Sequence, residues 1–263
     1  MSDRKSPRGD GTWIRHGTWI RHRVVWITAS VGAVVLIGYT TYYLSMVTVA
    51  RVNVHGSVHA SVETVVDLAG VAMGDTLYRV DTEMIESRVA LHPWIERADV
   101  TRWPTGVLAI EVRERTPVVL SVSASGHPVF YIDRTGASLP VDSVSTYDVP
   151  LLRGIANGNR PAPISDSATV ELLEVIASLP PSVDGLLSDL IVRPDGEVDA
   201  ITVPVDDGTC IRVRLGRGEY DRKMKTLRAF WAQAVAGFPR KRIEWIDLRF
   251  RGQVITKEES VIS

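Results

Sequence analysis

The sequence predicts an α+β protein: one N-terminal transmembrane helix, a small β-α-α-β-β unit, then a mixed β-sheet domain flanked by helices. Three observations carry that expectation. Val24 to Met46 is a run of 23 residues without a formal charge. Residues 49–117 set short strand patterns around two short, capped helical stretches. Residues 118–256 string short strand patterns together and interrupt them with two longer amphipathic stretches.

The chain opens on a tail, residues 1–23, in which Arg4, Lys5, Arg8, Arg15, Arg21 and Arg23 outnumber Asp3 and Asp10. The hexapeptide GTWIRH occurs twice in it, at Gly11–His16 and Gly17–His22, in the manner of a tandem duplication. The run from Val24 to Met46, at ~1.5 Å per helical residue, spans roughly 35 Å and covers ~30 Å of hydrocarbon. Trp26 stands near one end and Tyr39, Tyr42 and Tyr43 near the other, where interfacial aromatics gather. Basic residues ahead of the span place the N-terminus in the cytoplasm and the bulk of the chain outside. A cleaved signal peptide is the competing reading, but its apolar core is only ~7–15 residues and Thr48-Val49-Ala50 makes a poor cleavage site.

After the span, Arg51-Val52-Asn53-Val54-His55 alternates as a strand and Gly56 ends it. Ser61 to Ala69 reads as a helix with Ser61 at its N-cap and Gly70 as its stop. Thr82 to Leu91 reads as a second helix, capped by Asp81 or Thr82 and closed by Pro93. Trp94–Arg102 and Val107–Arg115 follow as two strands around Trp103-Pro104-Thr105-Gly106. A three-stranded sheet of this size buries one face under its two helices.

In the second half, strands are expected at Val129–Asp133, Leu187–Arg193, Val198–Val203 and Cys210–Leu215, with a loop over 155–167. Ala168 to Leu179 carries Leu172, Val175, Ile176 and Leu179 on one face, and Pro180-Pro181 stops it. Tyr220 to Ala236 carries Met224, Leu227, Trp231, Ala234 and Val235. The closing stretch, Ile243 to Ile255, reads as one interrupted strand at a sheet edge. Ile246, Leu248, Phe250 and Val254 should face the core, and Asp247, Arg249, Arg251 and Gln253 the solvent. Gly252 is placed to break or bulge it.

Composition narrows the function. The tail is net +4 and the remainder −5, so the main body has no basic excess with which to hold nucleic acid. The single cysteine, Cys210, precludes an internal disulfide and a thiolate metal cluster, and reads as a structural thiol. There is no G-x-S-x-G elbow, H-E-x-x-H or Walker A string. His55 and His59 are four apart across a glycine, a poor metal pair. Gly216-Arg217-Gly218 reads as a turn rather than an anion cradle, and Asp206-Asp207 as a hairpin tip rather than a calcium site. No catalytic, metal or cofactor-binding residue is expected, and the chain is read as a non-enzyme.

From Val52 to Pro117 the order of landmarks resembles a POTRA domain, and more narrowly that of the bacterial division proteins FtsQ and DivIB. Those landmarks are Val54 and Gly56, Gly74 with Leu77, Val80-Asp81, Leu91-His92-Pro93-Trp94-Ile95, Ala98-Asp99-Val100, Arg102-Trp103-Pro104 and Glu111 through Pro117. Val129-Phe130-Tyr131-Ile132-Asp133 running to Leu139-Pro140, Pro150 to Gly154, and Trp245-Ile246-Asp247-Leu248-Arg249-Phe250 resemble the same family's β domain.

The resemblance implies a cytoplasmic tail (1–23), a transmembrane helix (24–46), a POTRA domain (49–117), an FtsQ-type β domain (118–256) and a short tail (257–263). It further implies a single-pass division scaffold at the septum, holding FtsB/DivIC-like and FtsL-like partners and modulating septal peptidoglycan synthesis. Partner binding by strand addition then falls on Arg249, Phe250, Arg251, Gly252, Gln253, Val254 and Ile255. Arg217, Arg222 or Lys223 would supply a charged contact, and the Val54–Gly56 and Asp81 neighbourhoods would serve recruitment. The alternatives are a POTRA-containing envelope assembly or transport component and a membrane-tethered hydrolase.

Overall fold

The computed structural model describes residues 16–142, 145–155, 163–179, 185–204, 208–235 and 242–259. Most of the basic tail, the start of the first GTWIRH copy, Pro180-Pro181, Asp206-Asp207 and Ala236 lie outside them. Helix α1 (His16–Met46) contains a stretch, Val25–Met46, long and apolar enough to cross a membrane.

The first unit after α1 follows the expected order: β1 (Arg51–His55), α2 (Val62–Ala69), a 3-10 turn at Leu77–Arg79, α3 (Thr82–Val89), β2 (Ile95–Trp103) and β3 (Val107–Glu114). Its sheet order is β1-β3-β2, parallel between β1 and β3 and antiparallel between β3 and β2. The caps fall where short polar side chains and glycine dictate. Ser61 accepts from the Thr64 amide, Asp81 accepts from the Met84 amide, and Gly70 closes α2 at φ 62°. Helix α3 stops at Val89, two residues short of the expected Leu91. Val65, Ala69, Ile85 and Val89 bury against Leu108, Ile110 and Ala98.

Among the described residues, the second unit is built on a nine-stranded sheet. Its strands are β4 (Pro117–Val122), β5 (Pro128–Asp133), β6 (Ser138–Pro140), β7 (Leu151–Arg153), β8 (Leu187–Val192), β9 (Val198–Thr202), β10 (Arg212–Gly216), β11 (Arg242–Asp247) and β12 (Ile255–Glu259). Their order is β12-β11-β10-β9-β8-β7-β4-β5-β6. Helices α4 (Ser167–Ala177) and α5 (Tyr220–Phe230) cover one face; a π turn, Trp231–Val235, continues α5. Leu172, Leu173 and Ile176 of α4 and Tyr220, Met224 and Leu227 of α5 pack on Leu152, Leu190, Ala200, Val213 and Ile246.

The closing stretch departs from the sequence reading. Residues 242–247 form an interior strand, parallel to β10 and antiparallel to β12, and the open edge is β12. The chain reverses between them, so the alternation expected across Arg249 to Val254 is broken by a turn. Phe250 is half exposed where a core position was expected, and Asp247 is buried where a wet one was expected. Residues 257–259, expected in a tail, continue β12. Cys210 lies just before β10, exposed, rather than within a strand.

The two units meet at a polar-aromatic joint. The His59 ring stacks on Trp94 with centroids 3.8 Å apart. Its Nδ1 lies 2.7 Å from Glu114 Oε2, and its Nε2 lies 3.2 Å from the Tyr147 hydroxyl. Glu114 Oε1 also accepts the backbone amides of Val58, His59 and Ala60. Trp94 buries with Tyr131 and Leu139 of the second unit. Arg134 of the second unit pairs with Glu96 of β2 at 2.9 Å. His59 is thus committed to the joint, and no group of three metal-ligating side chains occurs among the described residues.

Candidate functional site

Strand β11 is placed by its own pattern. Ile243, Ile246 and Leu248 turn to the helices and bury, and the Leu248 amide donates to the Arg214 carbonyl at 3.0 Å. On the helix-free face, Arg214 lies over the Trp245 ring at 5.0 Å, a cation–π contact between paired strands.

The strand ends on a fixed charge pair. Asp247 is 3% exposed and accepts three contacts from the Arg249 guanidinium, at 3.0, 3.1 and 2.7 Å. The Arg249 amide donates to the same carboxylate at 3.0 Å. Burial works against the charged carboxylate, yet the Arg249 side chain and amide outweigh it and hold the carboxyl below the usual range. Arg249 also reaches Glu197 at 3.4 Å, and its stem covers Gly216. A Cβ at Gly216 would lie 2.8 Å from Arg249 Cγ. Within the described residues, Arg249 therefore faces its own sheet.

Phe250, Arg251, Gly252, Gln253 and Val254 form the turn. Gly252 takes φ 71°, the left-handed region that glycine enters without cost. Phe250, Arg251 and Gln253 are exposed, Val254 is partly buried against the core, and Ile255 begins β12 at 39% exposure. Arg251 pairs with Glu219 at the N-terminus of α5, and Arg222 pairs with the same carboxylate at 2.7 Å. These two arginines hold the Glu219 carboxyl below its usual range. Two groups that the sequence kept apart, the closing stretch and the α5 arginines, thus meet through Glu219.

The remaining residues are placed as follows. Arg217 pairs with Asp166 at 2.7 Å. Lys223 is 3% exposed and donates to the Gly218 carbonyl at 2.7 Å, and burial lowers its pKa. It is unavailable as a surface charge. Gly56 takes φ 82°, and a Cβ there would lie 2.2 Å from the Val112 carbonyl oxygen, so its local duty is close backbone approach. Asp81 is spent on the α3 cap. The sequence reading missed strand β12 as the edge. Its outward row carries Lys257, bridged to Glu244 of β11 at 2.6 Å, and its outer backbone meets no further strand among the described residues.

The arrangement presents an open antiparallel edge, one half-exposed aromatic and a charged cluster, side by side. An extended peptide backbone can complete such an edge, with Phe250 and the Glu219–Arg251–Arg222 charges selecting its side chains.

Residues 47–115 match a family model described as "POTRA domain, FtsQ-type", and residues 116–257 match "FtsQ/DivIB, C-terminal related". The chain is 38% identical to a cell division protein FtsQ of Rhodothermus marinus over 89% of this chain and 86% of that one. It is 39% identical to a cell division protein FtsQ of Salinibacter ruber over 88% of this chain and 90% of that one. A solved major extracytoplasmic domain of DivIB from Geobacillus stearothermophilus matches at 19% identity, over 48% of this chain and 98% of that one, with a TM-score of 0.31.

Proposed function

The chain belongs to the FtsQ/DivIB family of cell division proteins, and from that premise we propose that it is a single-pass scaffold of the division machinery that holds partners on its terminal hairpin. Helix α1 anchors it with the basic tail in the cytoplasm, and both folded units stand outside at the septum. It acts by contact rather than by catalysis. FtsB/DivIC-like and FtsL-like single-pass proteins are the partners, the first adding a strand to β12, and through them the scaffold modulates septal peptidoglycan synthesis.

The observation that supports this reading is the open β12 edge beside the exposed Phe250–Arg251 turn. Phe250 is the apolar anchor and Arg251 the charge that a partner meets, whereas Arg249 serves the sheet. Co-purification of the full chain with its FtsB-like partner tests the assignment. Phe250→Ala and Arg251→Glu should each reduce recovery of the partner while leaving the chain folded. Undiminished recovery with both variants rejects the hairpin as the binding surface.

A further inference from the structure

The base of the first unit is strapped to the end of α1. The Leu77 amide donates to the Val47 carbonyl at 2.9 Å, one residue past the last helical residue. The Val49 amide donates to the Asp75 carbonyl at 2.8 Å, and the Gly74 amide to the Val49 carbonyl at 2.9 Å. The Gly106 carbonyl accepts the amides of Ala50 and Arg51, at 2.8 and 3.3 Å. Gly106 approaches so closely that a Cβ there would lie 2.8 Å from the Thr48 carbonyl oxygen.

Two loops are therefore held against residues 47–51: the 71–76 loop and the β2–β3 hairpin tip. Each carries a large apolar side chain turned to solvent, Met73 at 65% exposure and Trp103 at 54%. Trp103, Val107 and Arg51 are register partners across the sheet and share its helix-free face. Arg79, in the neighbouring 3-10 turn, is exposed; of the acids nearby, Asp75 accepts the Ala72 amide at 2.9 Å and Asp81 caps α3.

Residues 47–50, even fully extended, reach only ~13 Å, and the polar zone of a bilayer is ~5–7 Å deep on each side. If α1 crosses the membrane, these side chains stand at its surface. A tryptophan ring is amphipathic and settles at headgroup depth, and arginine beside it favours anionic headgroups.

We propose that Met73, Trp103 and Pro104, flanked by Arg51 and Arg79, form a lipid-docking face that seats the base of this unit in the outer surface of the membrane α1 spans. The face fixes the tilt of the unit and so the direction in which the distant β12 edge is presented. The proposal rests on α1 being a membrane span, and the test separates the two claims.

Single cysteines are placed in the full chain carrying Cys210→Ser, as Met73→Cys, Trp103→Cys, Leu91→Cys or Val35→Cys, and labelled with an environment-sensitive fluorophore. Leu91 is the control, because it is 75% exposed and apolar but sits by the opposite end of β2, roughly 26 Å away along the strand. The chain is reconstituted into phosphatidylcholine/phosphatidylglycerol vesicles containing brominated acyl chains. Emission from positions 35, 73 and 103 should be quenched and blue-shifted, and emission from 91 should not. Quenching at 35 with 73 and 103 as wet as 91 overturns the docking face and leaves the span intact. No quenching at 35 overturns both.

Discussion

Asp247 and Arg249 divide the closing stretch into a part that builds the sheet and a part turned to solvent. Because Asp247 is 3% exposed, its carboxylate depends on Arg249 for its partners. Arg249→Ala should lower stability by about 1–3 kcal/mol, because the buried carboxylate loses its guanidinium partner and keeps only the Arg249 backbone amide. Phe250→Ala, half exposed one residue on, should change stability by less than about 0.5 kcal/mol. Denaturation of the two variants side by side checks the contrast. Gly56 supplies a similar case. It holds φ 82° against the Val112 carbonyl, so Gly56→Ala should cost on the order of 3 kcal/mol or more and loosen the β1–β3 pairing, read as a fall in melting temperature.

Most elements of the first unit were legible in the sequence because local chemistry marks their ends: a serine and an aspartate cap two helices, and a glycine stops the first, while α3 ends at its C-cap, Ala90, ahead of the proline expected to close it. The terminal hairpin was not legible. Apolar residues at 246, 248, 250 and 254 keep a period of two straight through the turn, so alternation alone describes one strand. What breaks it is the positive φ of Gly252 and the capture of Arg249 by Asp247, neither of which has a sequence period. Strand β12 itself, Ile255-Thr256-Lys257-Glu258-Glu259, is charged in the way edge strands are, and so carries little strand signal. A Pro in place of Thr256 should weaken β11–β12 pairing and reduce partner recovery more than Pro at Ser125, an exposed loop position, as read by co-purification.

Across the whole molecule the joint between the two units sets how the base of the first unit relates to the β12 edge. His59, Trp94, Glu114, Tyr131 and Tyr147 come from five separate places in the chain, and no spacing rule announces them. Burial raises the Glu114 carboxyl, but His59 and the amides of Val58, His59 and Ala60 outweigh it and hold it below its ordinary value of 4.5. A depressed carboxylate contributes stability that is complete above the unfolded value and is lost as pH falls through the folded one. The joint should therefore weaken on acidification below about pH 4.5, and Glu114→Gln should flatten that slope in a melting-temperature profile. Because His92 and Tyr147 also feel this carboxylate, the profile above that window reports them instead. On the proposed reading the chain has two working ends, a base docked at the membrane and an edge for partners, and the central claim concerns the edge. A photo-crosslinking side chain placed at Lys257 on β12, with the same group at Pro140 on the opposite edge strand β6, tests it in dividing cells. The account predicts a crosslink to the FtsB-like partner from 257 and none from 140; crosslinking from 140 with none from 257 would contradict it.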